Sequence, residues 1–94
     1  MKILETHTFM RAVKKLHRNQ ISLLKEAIET IRKDPLIGEL KKGDLAGIRV
    51  YKFHIFHQLI LLAYLYEEKA GELTLISFAS HENFYNTLKH QLKN

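Results

Sequence analysis

The eight residues Leu59-Ile60-Leu61-Leu62-Ala63-Tyr64-Leu65-Tyr66 form the longest apolar run in the chain and constrain its fold more than any other feature. A helix needs about 20 apolar residues to cross a bilayer, so this run is too short for a span. It is rich in Leu and Tyr and lacks the polar alternation of a half-exposed strand, which suits a strand buried on both faces in the middle of a sheet. Just before it, Arg49, Tyr51 and Phe53 alternate with Ile48, Val50 and Lys52. Just after it, the polar, Gly-containing turn Glu67–Glu72 leads into Leu73–Ala79, where Thr74, Ile76 and Phe78 alternate with Leu73, Leu75, Ser77 and Ala79. Three such segments separated by short connectors predict an antiparallel meander.

The first part of the chain follows another period. Ile3, Glu5 and His7 alternate with Lys2, Leu4 and Thr6 and predict a short edge strand. Thr8 is the predicted cap of a helix to about Leu16, with Phe9, Val13 and Leu16 on one face and Arg11, Lys14, Lys15 and Arg18 on the other. From a predicted cap at Asn19, Ile21, Leu24, Ile28 and Ile31 keep the helical period to Lys33. Asp34-Pro35 ends that helix, because proline lacks an N–H donor and its predecessor disfavours the α region. Glu39–Gly47, with Gly43 and Gly47, reads as a connector, and Ser80 is the predicted cap of a short terminal helix carrying Phe84, Leu88 and Leu92. The fold class expected is therefore α+β: a helical hairpin packed on a small antiparallel sheet, β-α-α-β-β-β plus a short C-terminal helix.

At 94 residues, with 46% hydrophobic and 27% charged, the chain has the composition of a globular protein and room for one core, so residues 1–94 are expected to form a single domain. Cysteine is absent, which removes disulfides, thiolate metal sites and Cys nucleophiles together. The first sixteen residues mix charges among their apolar positions and lack the continuous apolar segment of a signal peptide, so a soluble, cytoplasmic protein is expected. No Gly-rich phosphate loop, HExxH, GxSxG or EF-hand pattern occurs, and the usual supports for nucleotide hydrolysis, zinc proteolysis and serine hydrolysis are missing.

The net charge of +5 is unevenly spread, with eight basic and three acidic residues among the first 33. Between Leu45 and Tyr66 there is no carboxylate, while Arg49, Lys52, His54 and His57 lie there. Two readings of that segment stand: a surface suited to a phosphate-rich ligand, or simply a strand region depleted of charge. Lys41-Lys42 is likewise either a solvated loop or a phosphate clamp.

Histidine has an ordinary pKa that lets it accept and donate a proton near neutrality. His54 and His57 flank the bend before the apolar strand and His81 follows the last strand. In an antiparallel meander the start of the middle strand lies beside the end of the last, which brings these three histidines to one end of the sheet. They form either a site or an ordinary polar surface. A zinc site is chemically possible, but the three lack the usual ligand framework; no metal or other cofactor is expected. As a site, the inventory suits RNA cleavage, in which a base takes the 2′-OH proton, the oxygen attacks phosphorus, and an acid protonates the leaving 5′ oxygen. Arg49 or Lys52 would offset phosphoryl charge, and Tyr85 would stack on a base or bond a phosphate. The basic residues Arg11, Lys14, Lys15, Arg18, Lys41 and Lys42 are the candidate RNA-binding set. His7, His17 and His90 are given no role.

The element order, with Gly47-Ile48-Arg49-Val50-Tyr51-Lys52, Leu61-Leu62-Ala63-Tyr64 and Ser80-His81-Glu82-Asn83-Phe84-Tyr85, resembles the RelE/ParE superfamily of bacterial toxins over nearly the whole chain. Its ending looks most like the YafQ-type branch, in which a His follows the last strand and an aromatic lies four residues on, here His81 and Tyr85. That branch also uses hairpin histidines, and His54 and His57 fall in the matching region. The resemblance implies the toxin of a type II toxin-antitoxin module, an endoribonuclease that cuts mRNA on the ribosome, blocks translation and is masked by a cognate antitoxin. ParE-like members share the fold and instead inhibit DNA gyrase. RelE-like members carry an Arg at the start of the strand after the bend, where Gln58-Leu59-Ile60 stands here; this departure shifts the weight to the histidines.

Overall fold

A computed structural model describes residues 1–85 and 88. The chain forms β1 (Lys2–Glu5), α1 (His7–Lys14), α2 (Arg18–Lys33), β2 (Glu39–Leu40), β3 (Arg49–Ile55), β4 (Gln58–Glu67) and β5 (Glu72–Ser80), with a 3-10 turn at Gly43–Leu45. The sheet order is β1-β5-β4-β3-β2. β4 therefore lies in the middle, and Ile60 through Tyr64 are each at most 6% exposed, as the apolar run requires.

β1 corrects the expectation of an antiparallel sheet, because it pairs with β5 in parallel, Ile3 opposite Leu73 and Glu5 opposite Leu75. Parallel neighbours need a long crossover, and α1 through β4 all lie between these two. Thr6 fixes the junction: its backbone N–H donates to Leu75 O, its hydroxyl donates to Ile76 O at 2.5 Å, and its Oγ1 accepts from Phe9 N at 3.1 Å. The cap of α1 is thus Thr6, two residues before the predicted Thr8, because a threonine tied to β5 can both end the strand and start the helix. α2 begins at Arg18 rather than after Asn19; His17 is its cap residue, and Gln20 Oε1 accepts from His17 N at 2.7 Å. It ends at Lys33, ahead of Asp34-Pro35, as predicted.

Two hydrophobic clusters sandwich the sheet. On the helical face, Phe9, Leu24 and Ile31 pack on Ile55, Ile60, Leu62, Tyr64, Leu73, Leu75 and Phe78. On the other face, Leu45, Ile48, Val50, Leu61, Ala63 and Ile76 pack with Phe84 and Leu88. Phe84, Tyr85 and Leu88 are helical, after a turn at His81–Asn83. Ser80 makes no cap there: its Oγ meets the Asn83 side chain, and its carbonyl accepts from Asn83 N. His90 and Leu92 lie outside the described residues.

The predicted connector contains β2, which pairs Glu39 with Val50 and Leu40 with Arg49. It is braced from the helical face. The Tyr64 hydroxyl accepts from Gly38 N at 2.9 Å and donates to Pro35 O at 2.7 Å. Burial pushes the Tyr64 phenol above its ordinary pKa, which keeps it a neutral donor. A Cβ at Gly38 would lie 2.7 Å from that hydroxyl, so only glycine fits.

Candidate functional site

The β3–β4 hairpin turns through two residues, Phe56 and His57, between the paired Ile55 and Gln58. Alternation along β3 sends Tyr51, Phe53 and Ile55 to the helical cluster and Val50 to the opposite one, so Lys52 and His54 share the face of Val50. His54 pairs with Leu59, and His81 N donates to Leu59 O at 3.1 Å from the other side. These two histidines therefore flank Leu59 in one row, with backbones roughly 10 Å apart at ordinary strand spacing. Lys52 pairs with Leu61, which pairs with Ala79, the next row on the same face.

His57 and His81 line one cleft of about 420 Å³ at the hairpin end, together with Gln58, Leu59, Ser80 and Glu82. The topology brings these two histidines together without any contiguous motif. His54 lies across Leu59 in the row of His81 and also borders a smaller groove between α2 and β3, lined by Leu23, Ala27, Tyr51 and Phe53. All three histidines and Lys52 are exposed. Among the described residues, no three His, Asp or Glu side chains converge as metal ligands.

Arg49 is not in this group. Strand alternation puts it on the helical face, where its guanidinium donates to Gly38 O at 2.8 Å and Leu36 O at 3.2 Å. The structure thus sets it apart from the histidine cleft, on the loop before β2. His81 lies in the turn that precedes the helical residues, so Tyr85 is not one helical turn beyond it. The Tyr85 ring packs edge-on to Phe84 at 5.1 Å and lies under the Lys41 ammonium at 5.7 Å. Lys41 also donates to Glu39 Oε1 at 2.9 Å, and this bond first, then the Tyr85 hydroxyl, raises its pKa. Lys42 is exposed in the loop beyond, and Arg11, Lys14, Lys15 and Arg18 are exposed on α1 and at the start of α2.

Sequence reasoning missed Glu39, Glu82 and Ser80. Glu82 lies beside His81 in the sequence, a signal available had the turn been read as a turn rather than as helix.

The chain matches the family model of the ParE-like toxin of type II bacterial toxin-antitoxin systems over residues 3–89. No curated protein matches it. Among solved structures it is similar to the toxin-antitoxin complex RelBE2 from Mycobacterium tuberculosis, with a TM-score of 0.70 and 18% identity over 85% of this chain and 96% of that one. The YoeB/ParE toxin from Agrobacterium tumefaciens gives a TM-score of 0.69 and 19% identity over 86% and 99%. The intact RelBE toxin-antitoxin complex from E. coli gives 0.66 and 17% over 83% and 93%. These likenesses establish a shared fold, and the family match covers nearly the whole sequence. The chain belongs to the RelE/ParE superfamily, as a ParE-like toxin of a type II toxin-antitoxin system.

Proposed function

We propose that this toxin is an endoribonuclease that cuts mRNA on the ribosome, and so acts in the cytoplasm. The observation that carries the reading is the shared cleft of His57 and His81, with Lys52 on the adjoining row of the same face. One imidazole takes the 2′-OH proton, the freed oxygen attacks phosphorus, and the other protonates the leaving 5′ oxygen, with no metal in the step. Lys52 offsets the charge that grows on the phosphoryl oxygens from the neighbouring row, and His54 assists from across Leu59. Lys41 and Tyr85 hold the strand further along the face, and the cations Arg11, Lys14, Lys15, Arg18 and Lys42 attract it. This histidine-based arrangement accords with the YafQ-type pattern.

Gyrase inhibition is the second reading, favoured by the ParE-like character of the matching family model. Induction followed by mapping of new mRNA 5′ ends, with DNA topology checked in the same culture, separates the two. Cut transcripts support the nuclease; intact transcripts with relaxed or broken DNA support the gyrase reading.

A cognate antitoxin is the expected partner. The similar E. coli and M. tuberculosis proteins were solved in toxin-antitoxin complexes. Here the braced loop before β3 exposes Leu36, Ile37 and Leu40 at 60, 43 and 51%, beside basic Lys41 and Lys42. An acidic segment adding a strand or helix would cover that apolar surface. Co-expression of an adjacent small gene should restore growth and soluble yield; failure of both would count against the partner.

A further inference from the structure

Phe56 is the only non-glycine residue with positive φ among the described residues, at 55°. It occupies the first position of the two-residue β3–β4 turn, where Gly or Asn is favoured because a β-carbon crowds the left-handed backbone. A bulky aromatic there is strained, and such strain persists where the surrounding structure or a function holds it. Packing does not account for it. Phe56 belongs to neither hydrophobic cluster and is 57% exposed, so burial of its ring does not offset the strained backbone. Its chain neighbour His57 lines the cleft that also holds His81. The hairpin thus carries a costly, uncovered aromatic ring next to the groups assigned to proton transfer.

We infer that Phe56 is a nucleobase-stacking platform: it receives an unstacked base of single-stranded RNA next to the phosphodiester held in the His57–His81 cleft. The inference rests on the nuclease reading above. A flat apolar ring beside a cationic face is what a base and its phosphate require together, since stacking takes any base through its π-face while Lys52 and the other cations hold the backbone. A protein partner covering the same ring is the competing explanation.

The chain contains no tryptophan, so Phe56→Trp places a single indole fluorophore at the platform. The probe is a 2′-O-methyl RNA hexamer, which has no free 2′-OH to react, used alongside an abasic hexamer of equal charge. The inference predicts that the hexamer quenches the indole fluorescence of the Phe56→Trp protein and that the abasic strand, at equal occupancy by anisotropy of an end label, does not. Phe56→Asn tests the structural alternative, because Asn tolerates positive φ better than Phe. That variant should melt at the same or a higher temperature, bind antitoxin unchanged, and bind the hexamer roughly 5- to 100-fold more weakly, the loss expected of one base stack. If the wild type binds the hexamer but quenching is absent or equal with the abasic strand, or if Phe56→Asn binds as tightly as wild type, the platform is wrong and the nuclease reading stands. If the wild type binds no hexamer at low salt while induction still produces new mRNA 5′ ends, the platform is wrong and the nuclease reading stands; if those ends are missing as well, both fall.

Discussion

The two faces of the sheet are built from the same strands yet serve different ends. On the helical face Phe9, Leu24, Ile31 and Tyr64 are at most 2% exposed, and two of its polar groups are tied to the backbone, Tyr64 to Gly38 and Pro35 and Arg49 to Leu36 and Gly38. The opposite face is apolar only along its middle, at Val50, Leu61, Ala63 and Phe84. Its margins carry Lys52, His54, His81 and Lys41, exposed or half-exposed. Alternation along β3 makes the division sharp: Arg49 and Lys52, three residues apart, point to opposite sides. One face commits its chemistry to holding the fold, and the other keeps cations and imidazoles accessible. Substitutions should therefore move stability on one side and activity on the other.

The largest separation is expected at His81. Removing a general acid or base costs roughly 100- to 10,000-fold in rate, so His81→Ala should abolish cutting in a protein with unchanged circular dichroism and antitoxin affinity. Full toxicity and cleavage in both His81→Ala and His57→Ala would end the acid-base assignment.

Phe9 supplies the counterpart on the helical face. It is fully buried and meets Phe78 edge-on at 5.1 Å. Phe9→Ala should cost about 3 to 5 kcal/mol of stability, from lost burial and the cavity left behind. Whatever fraction stays folded should cut at the wild-type rate. A denaturant melt with an activity assay on the folded fraction checks both.

Tyr64→Phe is a finer cut through the same side. It keeps the ring and removes one hydroxyl, leaving Gly38 N–H buried without its acceptor; a loss of about 1 to 3 kcal/mol follows. Faster amide exchange at Gly38 should accompany it. An unchanged melting curve would show that the loop before β2 is held by other contacts.

The smallest single effects belong to the outer cations. Neutralising Lys14 or Lys15 should weaken RNA binding modestly and flatten its salt dependence, by roughly 0.7 of a unit in the log–log slope for each phosphate of a single strand that is no longer neutralised. Binding that is constant between low and physiological salt would remove these residues from the interface.

Much of this division was legible in the sequence because strong local signals carried it. The unbroken apolar run put β4 at the centre, Asp34-Pro35 ended α2, and hairpin topology brought His57 and His81 to one end. What escaped depended on interactions between distant parts of the chain. Thr6 became the cap in place of Thr8 through its bonds to Leu75 and Ile76, some seventy residues on. β1 lay parallel to β5 because no short turn constrains that pair. Arg49 looked like a phosphate ligand by composition, and only the pleat, with two carbonyls waiting on the helical face, revealed its structural task.

The central claim is that the open face cleaves RNA by histidine acid-base chemistry, and the ends of the cut transcripts test it most directly. Attack by the 2′-oxygen leaves a 5′-hydroxyl on the downstream fragment and a cyclic phosphate or its opened product on the upstream one. After induction, or in a reconstituted translation reaction with purified toxin, new ends should accept phosphate from a polynucleotide kinase without prior phosphatase treatment. New ends bearing 5′-phosphates, or transcripts that remain intact while growth stops, would contradict the account.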